Sequence, residues 1–447
     1  MTAVLDGPRT AAAAPATLQR SWRFELVKLL AQWPVRLGLA ACWLGPAVLL
    51  AVLSSQRTLP TDTVFGRWLH QSGWAAPLVL LTFSATWVLP LLPSLVAGDA
   101  FAAEDRLGTW RHLLVAVRSP RRVFVSKALA GLTVVLALVT GLAVSGVAGG
   151  LLAVGSRPLV GLTGQQVPPG DAALAVLLAW LVALAPTLAF AAVGVLGAVA
   201  LGRSPVGLLA PALLAFALQV AQLLPLPVVV RMSLPTQAFL AWRGLLTEPE
   251  QLRPLVVGVC VSLVWAAAAT ALAYRLFLRR DFTDLTPDGL GAAALAQAVL
   301  PLAALLAVTA GVVAVLTPAA GSGIERPALE TSLSTTYAHL YRLQARELGR
   351  PDVPESRLAA TATCDRGGPL QDDVGPGNGW RCVVSWHLPD TSATGSAIYQ
   401  LDVTADGRYV ADGDGPQQVN GFFQVRTPTG DAPNPLWQFD GSVDLLP

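Results

Sequence analysis

Charge is scarce in this chain. Asp, Glu, Lys and Arg make up 13% of its 447 residues, against roughly 25% in an ordinary globular domain. With 53% hydrophobic residues and a mean hydropathy of +0.56, that shortage excludes a disordered chain and argues against a single soluble domain. Lysine is nearly absent: only Lys28 and Lys127 occur, whereas arginine, alanine and glycine are plentiful, a composition that points to a high-GC bacterial genome. Neither lysine follows a glycine, so the Gly-Lys-Ser/Thr loop that cradles nucleotide phosphates is missing, and the chain does not hydrolyse ATP by that route. A net charge of +2 is too small to suggest a nucleic-acid partner. Four histidines, His70, His112, His339 and His387, share no metal-binding spacing and read as solvated or packed side chains.

What remains is apolar sequence in runs of about 20 residues, long enough to cross a bilayer. Seven runs qualify, at approximately Leu37–Leu53, Ala75–Ala97, Ala128–Val154, Ala172–Leu201, Val206–Val230, Leu255–Tyr274 and Leu290–Leu316. Gly202, Arg203, Ser204 and Pro205 read as a tight turn between the fourth and fifth. About 36 residues precede the first run and no A-x-A site follows it, which argues against a cleaved signal peptide. Basic residues cluster before the first run, at 106–127, and at Arg275, Arg279 and Arg280, so the positive-inside rule places the N-terminus in the cytoplasm. Seven spans then place everything after Leu316 outside. No Asp, Glu, Lys or His occupies the middle of a span, which argues against proton coupling, intramembrane proteolysis and a bound haem or quinone.

Two inward segments carry the information. In Leu18–Gln32, Trp22, Leu26, Leu29, Leu30 and Trp33 share one helical arc, while Ser21, Glu25, Lys28 and Gln32 form a polar one; Phe24 and Val27 blur the pattern. We expect an interfacial helix that turns at Pro34 into the first span. The second segment, Gly98–Lys127, reads GDAFAAEDRLGTWRHLLVAVRSPRRVFVSK. Leu107, Trp110, Leu114 and Val117 recur at helical spacing, and Ser119-Pro120 ends one helix and can cap the next. The apolar stripe has to be covered by lipid headgroups, by the protein's own helices or by a partner.

Phe24–Leu29 (FELVKL), then Glu104, Arg106, Gly108-Thr109, Leu113-Leu114, Ser119-Pro120-Arg121-Arg122 and Lys127, give the chain its likeness. Over about 18–278 it resembles the type-2 class of ATP-binding-cassette (ABC) transporter permeases, mostly bacterial exporters. The resemblance implies a membrane all-α polytopic bundle in the bacterial plasma membrane, paired with a second permease, homo- or heterodimeric. A separate nucleotide-binding ATPase would hold ATP and Mg, with no cofactor in this chain, which would be a transport subunit and not an enzyme. It further implies that Glu104, Arg106, Gly108 and Thr109, with Asp99 and Arg111 beside them, couple to that ATPase. Trp22, Glu25, Lys28 and Trp33 would belong to an elbow helix. The stretch Arg231–Arg253, with Phe239 and Trp242, would cap the outer side as short helices; an ordinary surface loop is the alternative. Two features depart from the family: a seventh span and an external domain. The expected division is 1–36, 37–278, 279–316 and 317–447.

The tail reads as a small extracytoplasmic α+β domain. Residues 318–326 form a linker, and Ala328–Leu348 has helical periodicity ended by Gly349 and Pro351. The period then changes to two: Trp380, Cys382, Val384, Trp386 and Leu388 alternate, and Asp406-Gly407 signals a hairpin turn between Ile398–Val403 and Tyr409-Val410. Phe422–Val425 offers a further strand. Cys364 and Cys382, in an oxidising compartment, suggest a disulfide, two free thiols being the alternative. Cys42 and Cys260 fall in spans. The tail is similar to small secreted cystatin-like modules. Asp402, Asp406 and Asp412 read as turn and surface residues, and no catalytic set stands out, so the tail reads as a binding or assembly module.

Overall fold

The computed structural model describes residues 17–55, 64–202, 205–280, 282, 292–317, 321–367, 372–388, 391–428 and 430–446. In chain order the first part contains α1 (Leu18–Ala31), α2 (Trp33–Ser55), α3 (Val64–Gln71), α4 (Ala75–Thr86), α5 (Val88–Leu107), α6 (Trp110–Val117) and α7 (Pro120–Ala153). A small hairpin, β1 (Leu159–Val160) and β2 (Gln166–Val167), precedes α8 (Pro169–Leu201) and α9 (Pro205–Leu223). Short helices α10 (Val228–Met232) and α11 (Ala238–Ala241), with 3-10 turns at Pro235–Gln237 and Trp242–Leu246, lead to α12 (Leu252–Arg279) and α13 (Ala292–Leu316). The linker residues 318–320 and the turn residues Arg203 and Ser204 lie outside the described residues.

Among the described residues five helices are long and apolar enough to cross a membrane: α2, α7, α8, α12 and α13, the last counted over Val299–Leu316; α4 and α5 together make a sixth, bent by 59°. The chain is therefore a multi-pass membrane protein. The fifth expected span is shorter than its sequence suggests. Its helix α9 ends at Leu223, ahead of Pro225 and Pro227, and only Leu209–Leu223 is a continuous apolar helix. The bend between α4 and α5 has a backbone cause. Pro90 has no N–H to give the Thr86 carbonyl, so the helical ladder breaks at Trp87. The amide of Gln219 on α9 donates to the Ala85 carbonyl (2.7 Å), supplying a partner where water is absent.

Helix α8 is the most enclosed span and lies against α5, α9 and α12. Gly194 permits its crossing with α5: a Cβ there would lie 2.1 Å from the Ser94 carbonyl oxygen.

The C-terminal domain follows α14 (Arg326–Glu347) and the short α15 (Glu355–Leu358). Its antiparallel sheet runs β3 (Thr361–Asp365), β4 (Gly377–His387), β5 (Thr394–Val403), β6 (Arg408–Gly413) and, beyond the short α16 (Gln417–Asn420) and the hairpin β7 (Gln424–Thr427)–β8 (Gly430–Pro433), β9 (Gln438–Ser442), in the order β3-β4-β5-β6-β9. Period-two burial is obeyed: Trp380, Cys382 and Val384 on β4 and Ala397, Tyr399, Leu401 and Val403 on β5 face inward. Tyr337 of α14 packs on Trp386 (centroids 4.8 Å apart) and Tyr399 (6.2 Å). Cys364 and Cys382 are register partners on β3 and β4 and form a disulfide. Gly407 (φ +81°) occupies the left-handed turn position between β5 and β6.

Candidate functional site

A cluster of buried charges lies at the end of the bundle away from the C-terminal domain. Lys127, in the second turn of α7, is 1% exposed. Its ammonium has three protons and three acceptors: Glu25 on α1 (2.8 Å), Glu104 on α5 (2.7 Å) and the Ala100 carbonyl (3.1 Å). Lys28 and the Thr109 hydroxyl also donate to Glu104. Both lysines of the chain thus neutralise two carboxylates from helices far apart in sequence. Buried charge of this kind persists only when paired and fully hydrogen-bonded.

A second pair lies beside the first. Arg280 grips Asp105 with both guanidinium arms (3.0 and 2.8 Å), and the Trp110 indole donates to the same carboxylate (2.8 Å). Trp110 touches Phe101, Phe277 and Phe282 with centroids 6.5, 5.2 and 5.5 Å away, and Lys127 sits 5.6 Å over its ring. The network therefore ties α1, α5, α6, α7 and α12 at one level.

The network explains the blurred pattern of α1. Its polar residues Ser21 and Glu25 point inward, while Phe24, Val27, Leu30 and Trp33 are exposed. Such an inverted helix suits a surface covered by lipid, not water. Trp22 is half-buried and donates to Thr133 on α7 (3.3 Å).

The remaining residues of the loop separate into two groups. Glu104 and Thr109 are built into the network. Asp99 pairs with Arg106 (2.6 Å) near the surface. Gly108, at φ +65°, ends α5 in the left-handed conformation that glycine tolerates. The expected stripe is thereby split. Leu107 belongs to α5 and is exposed, whereas Trp110, Leu114 and Val117 of α6 are covered by the protein's own helices. Arg111 and Val115 lie on the open face of α6. Sequence reasoning missed Asp105 and Arg280, whose partnership spans 175 residues. The confinement of lysine to two positions was a signal for the rest.

At the opposite end, Phe239 and Trp242 are buried within the short helices between α9 and α12; Phe239 stacks on Phe190 of α8 (6.1 Å). The C-terminal domain is docked on this cap. Arg243 meets Asp406 in the β5–β6 turn (2.6 Å), and Gln251 donates to the Ser442 carbonyl (3.2 Å). His339 of α14 donates from Nδ1 to the Thr163 carbonyl of the β1–β2 hairpin (2.7 Å). Burial pushes the Arg243 guanidinium below its usual range, offset in part by Asp406. Burial also pushes the Asp406 carboxyl up, but Arg243, the Thr404 hydroxyl, Arg408 and Arg231 outweigh it and hold it below the ordinary carboxylate range.

Within the bundle, an apolar cavity of about 260 Å³ lies between α8, α9, α12 and α13, bounded by Leu196, Pro211, Leu218, Trp265, Leu302 and Leu306. No group of three or more metal-ligating side chains occurs among the described residues. Comparison with protein-family models, curated proteins and solved structures finds no match.

Proposed function

We propose that this chain is the membrane-spanning permease subunit of an ABC exporter, driven by a separate ATPase that binds ATP and Mg. One observation carries the reading. Helix α6 presents an open face with Arg111 and Val115, beside exposed Leu107, while its base is tied by hydrogen bonds from Thr109 and Trp110 to Glu104 and Asp105, whose ion pairs join α1, α5, α7 and α12. A push on that face would move α1, α5, α7 and α12 together, which is what a transmission element requires. In this reading the basic end faces the cytoplasm, the C-terminal domain lies outside, and two cores in a homo- or heterodimer form the path. The charge-free middles of the spans and the apolar cavity favour a hydrophobic or amphipathic cargo.

The test uses the full chain purified in mild detergent, with mass spectrometry of what accompanies it. The substitutions Val115→Asp and Leu107→Asp leave the ion network intact. A stoichiometric ATPase that is lost in both variants, with unchanged melting temperature, supports the reading. Absence of any ATPase, or equal retention by the variants, overturns it. An envelope protein held through the C-terminal domain instead would favour a membrane-anchored sensor or assembly factor.

A further inference from the structure

The C-terminal domain meets the outer cap at a joint rich in positive charge. Arg231 of α10 and Arg243, in the 3-10 turn after α11, come from the cap, and Arg408 comes from β6 of the domain. The charges of all three reach Asp406 in the β5–β6 turn, and that of Asp440 on β9 reaches Arg243. Three guanidinium groups thus face two carboxylates, which leaves one positive charge over. A cavity of about 40 Å³ opens at this joint, bounded among others by Arg243, Arg408, Asp406, Asp440 and Gln237.

Donors outnumber acceptors there as well. Arg243 holds Asp406 Oδ2 (2.6 Å) and the Thr404 hydroxyl donates to Oδ1, so both oxygens of Asp406 are engaged. Asp440 also interacts within the protein. Arg231 is 1% exposed, yet its Nε and Nη2 are buried with no hydrogen-bond partner among the described residues, and Nε of Arg408 is in the same condition. Each guanidinium carries five N–H donors and stays charged, and a charge withdrawn from water without a partner is costly. The far end of the bundle differs: there each of the three ammonium protons of Lys127 has an acceptor. Arg243 and Arg408 also repel each other across the joint. Gln237 borders the cavity, and its side-chain oxygen is buried without a partner, so its amide can turn a donor toward a guest.

We propose that this joint binds a small monovalent anion, chloride, held by Arg408 from the domain, by Arg231 and Arg243 from the cap and by the Gln237 amide. One such ion cancels the surplus charge and supplies the missing acceptor through charge-assisted hydrogen bonds. It also bridges the two parts of the chain that the arginines would otherwise push apart. The volume admits a chloride ion with a water or two, and an organic anion with a body of its own does not fit. Ions can enter from solution, because the Arg243 and Asp406 side chains remain 17% and 16% exposed. The chloride is then a counterion of the docked domain, and the inference stands whether or not the chain is a transporter.

The experiment is thermal melting of the full chain in phosphatidylcholine nanodiscs, with hydrogen exchange at the β5–β6 turn, as chloride replaces gluconate at constant ionic strength and neutral pH. We expect the melting temperature and the protection to rise saturably with chloride, and bromide to substitute for it. Arg408→Gln should weaken the apparent chloride affinity about tenfold. Arg231→Met removes the surplus buried charge, so in gluconate it should melt above the unmodified protein and should gain nothing from chloride. Absence of a saturable difference between chloride and gluconate in the unmodified protein overturns the proposal. So does an undiminished chloride response in Arg231→Met, or an affinity kept within about twofold in Arg408→Gln. Should Arg231→Met fail to fold, the halide series and Arg408→Gln decide alone.

Discussion

Lys127 on α7 and Glu104 on α5 lie 2.7 Å apart in the interior, and neither is more than 1% exposed. The pair shares Glu25 and Lys28 of α1 as further members, so a surface helix and two spans are joined by four charges that sum to zero. Isolated buried ion pairs add little net stability, but removing one member strands the others.

Lys127→Met should therefore be far worse than a double change. The single substitution leaves Glu25 and Glu104 with only Lys28, and should cost about 3–5 kcal/mol. Adding Glu104→Gln should recover part of the loss, because one stranded charge is removed. Thermal melting of the three proteins in the same detergent checks this. Equal melting temperatures for the unmodified protein and Lys127→Met would rule the network out as a structural element.

Two glycines should respond differently to the same substitution. Gly108→Ala meets open space, and its cost is the left-handed conformation alone, about 1 kcal/mol. Gly194→Ala places its Cβ against the Ser94 carbonyl and must separate α5 from α8. It should lower the melting temperature more than Gly108→Ala, and Gly194→Val should lower it further.

Docking of the C-terminal domain should depend on pH. Asp406 titrates lower when docked than when free, so its contribution is complete above the free carboxyl value of about 3.9 and is lost as pH falls through the lowered value. The domain should stay docked at neutral pH and loosen below about pH 4. Asp406→Asn should weaken docking by about 2 kcal/mol at neutral pH, less than for a fully buried pair, because both partners retain some water contact. Hydrogen exchange at the β5–β6 turn, followed from pH 7 to pH 3, reads both effects. A protection pattern flat across that range would count against the ion pair as a latch.

Loss of the Cys364–Cys382 bridge should loosen the C-terminal domain and leave the bundle intact. The two residues are 18 positions apart, and a loop of that size corresponds to about 3 kcal/mol. Proteolysis of a protein carrying Cys364→Ala and Cys382→Ala should accelerate within 326–446 and remain unchanged across α7 and α8. Equal protection in both proteins would show that the sheet needs no staple.

Much of this protein was legible without coordinates, and the reasons are local. Apolar runs longer than a bilayer force helices, because backbone groups in lipid must bond within their own segment. Alternation at Trp380, Cys382 and Val384 forces a half-buried strand, since successive side chains leave opposite faces. Gly407 marks a turn because it supplies positive φ, whereas the left-handed break at Gly108 interrupts a stripe that reads as continuous in the sequence. The end of α9 at Leu223 was less legible, since Pro225 and Pro227 interrupt a run whose hydropathy continues.

The sequence by itself thus determined the long apolar helices, the α+β tail and the disulfide candidates. Only the tertiary structure decided which charges meet. Lys127 and Glu25 are separated by 102 residues, Arg280 and Asp105 by 175, and Arg243 and Asp406 by 163. Periodicity describes one helix or strand at a time and carries no record of its neighbour. A charged residue near a helix end therefore looks the same in sequence whether it faces water or a buried partner. The crossing of the helices chooses between them, through the cost of burying a charge alone.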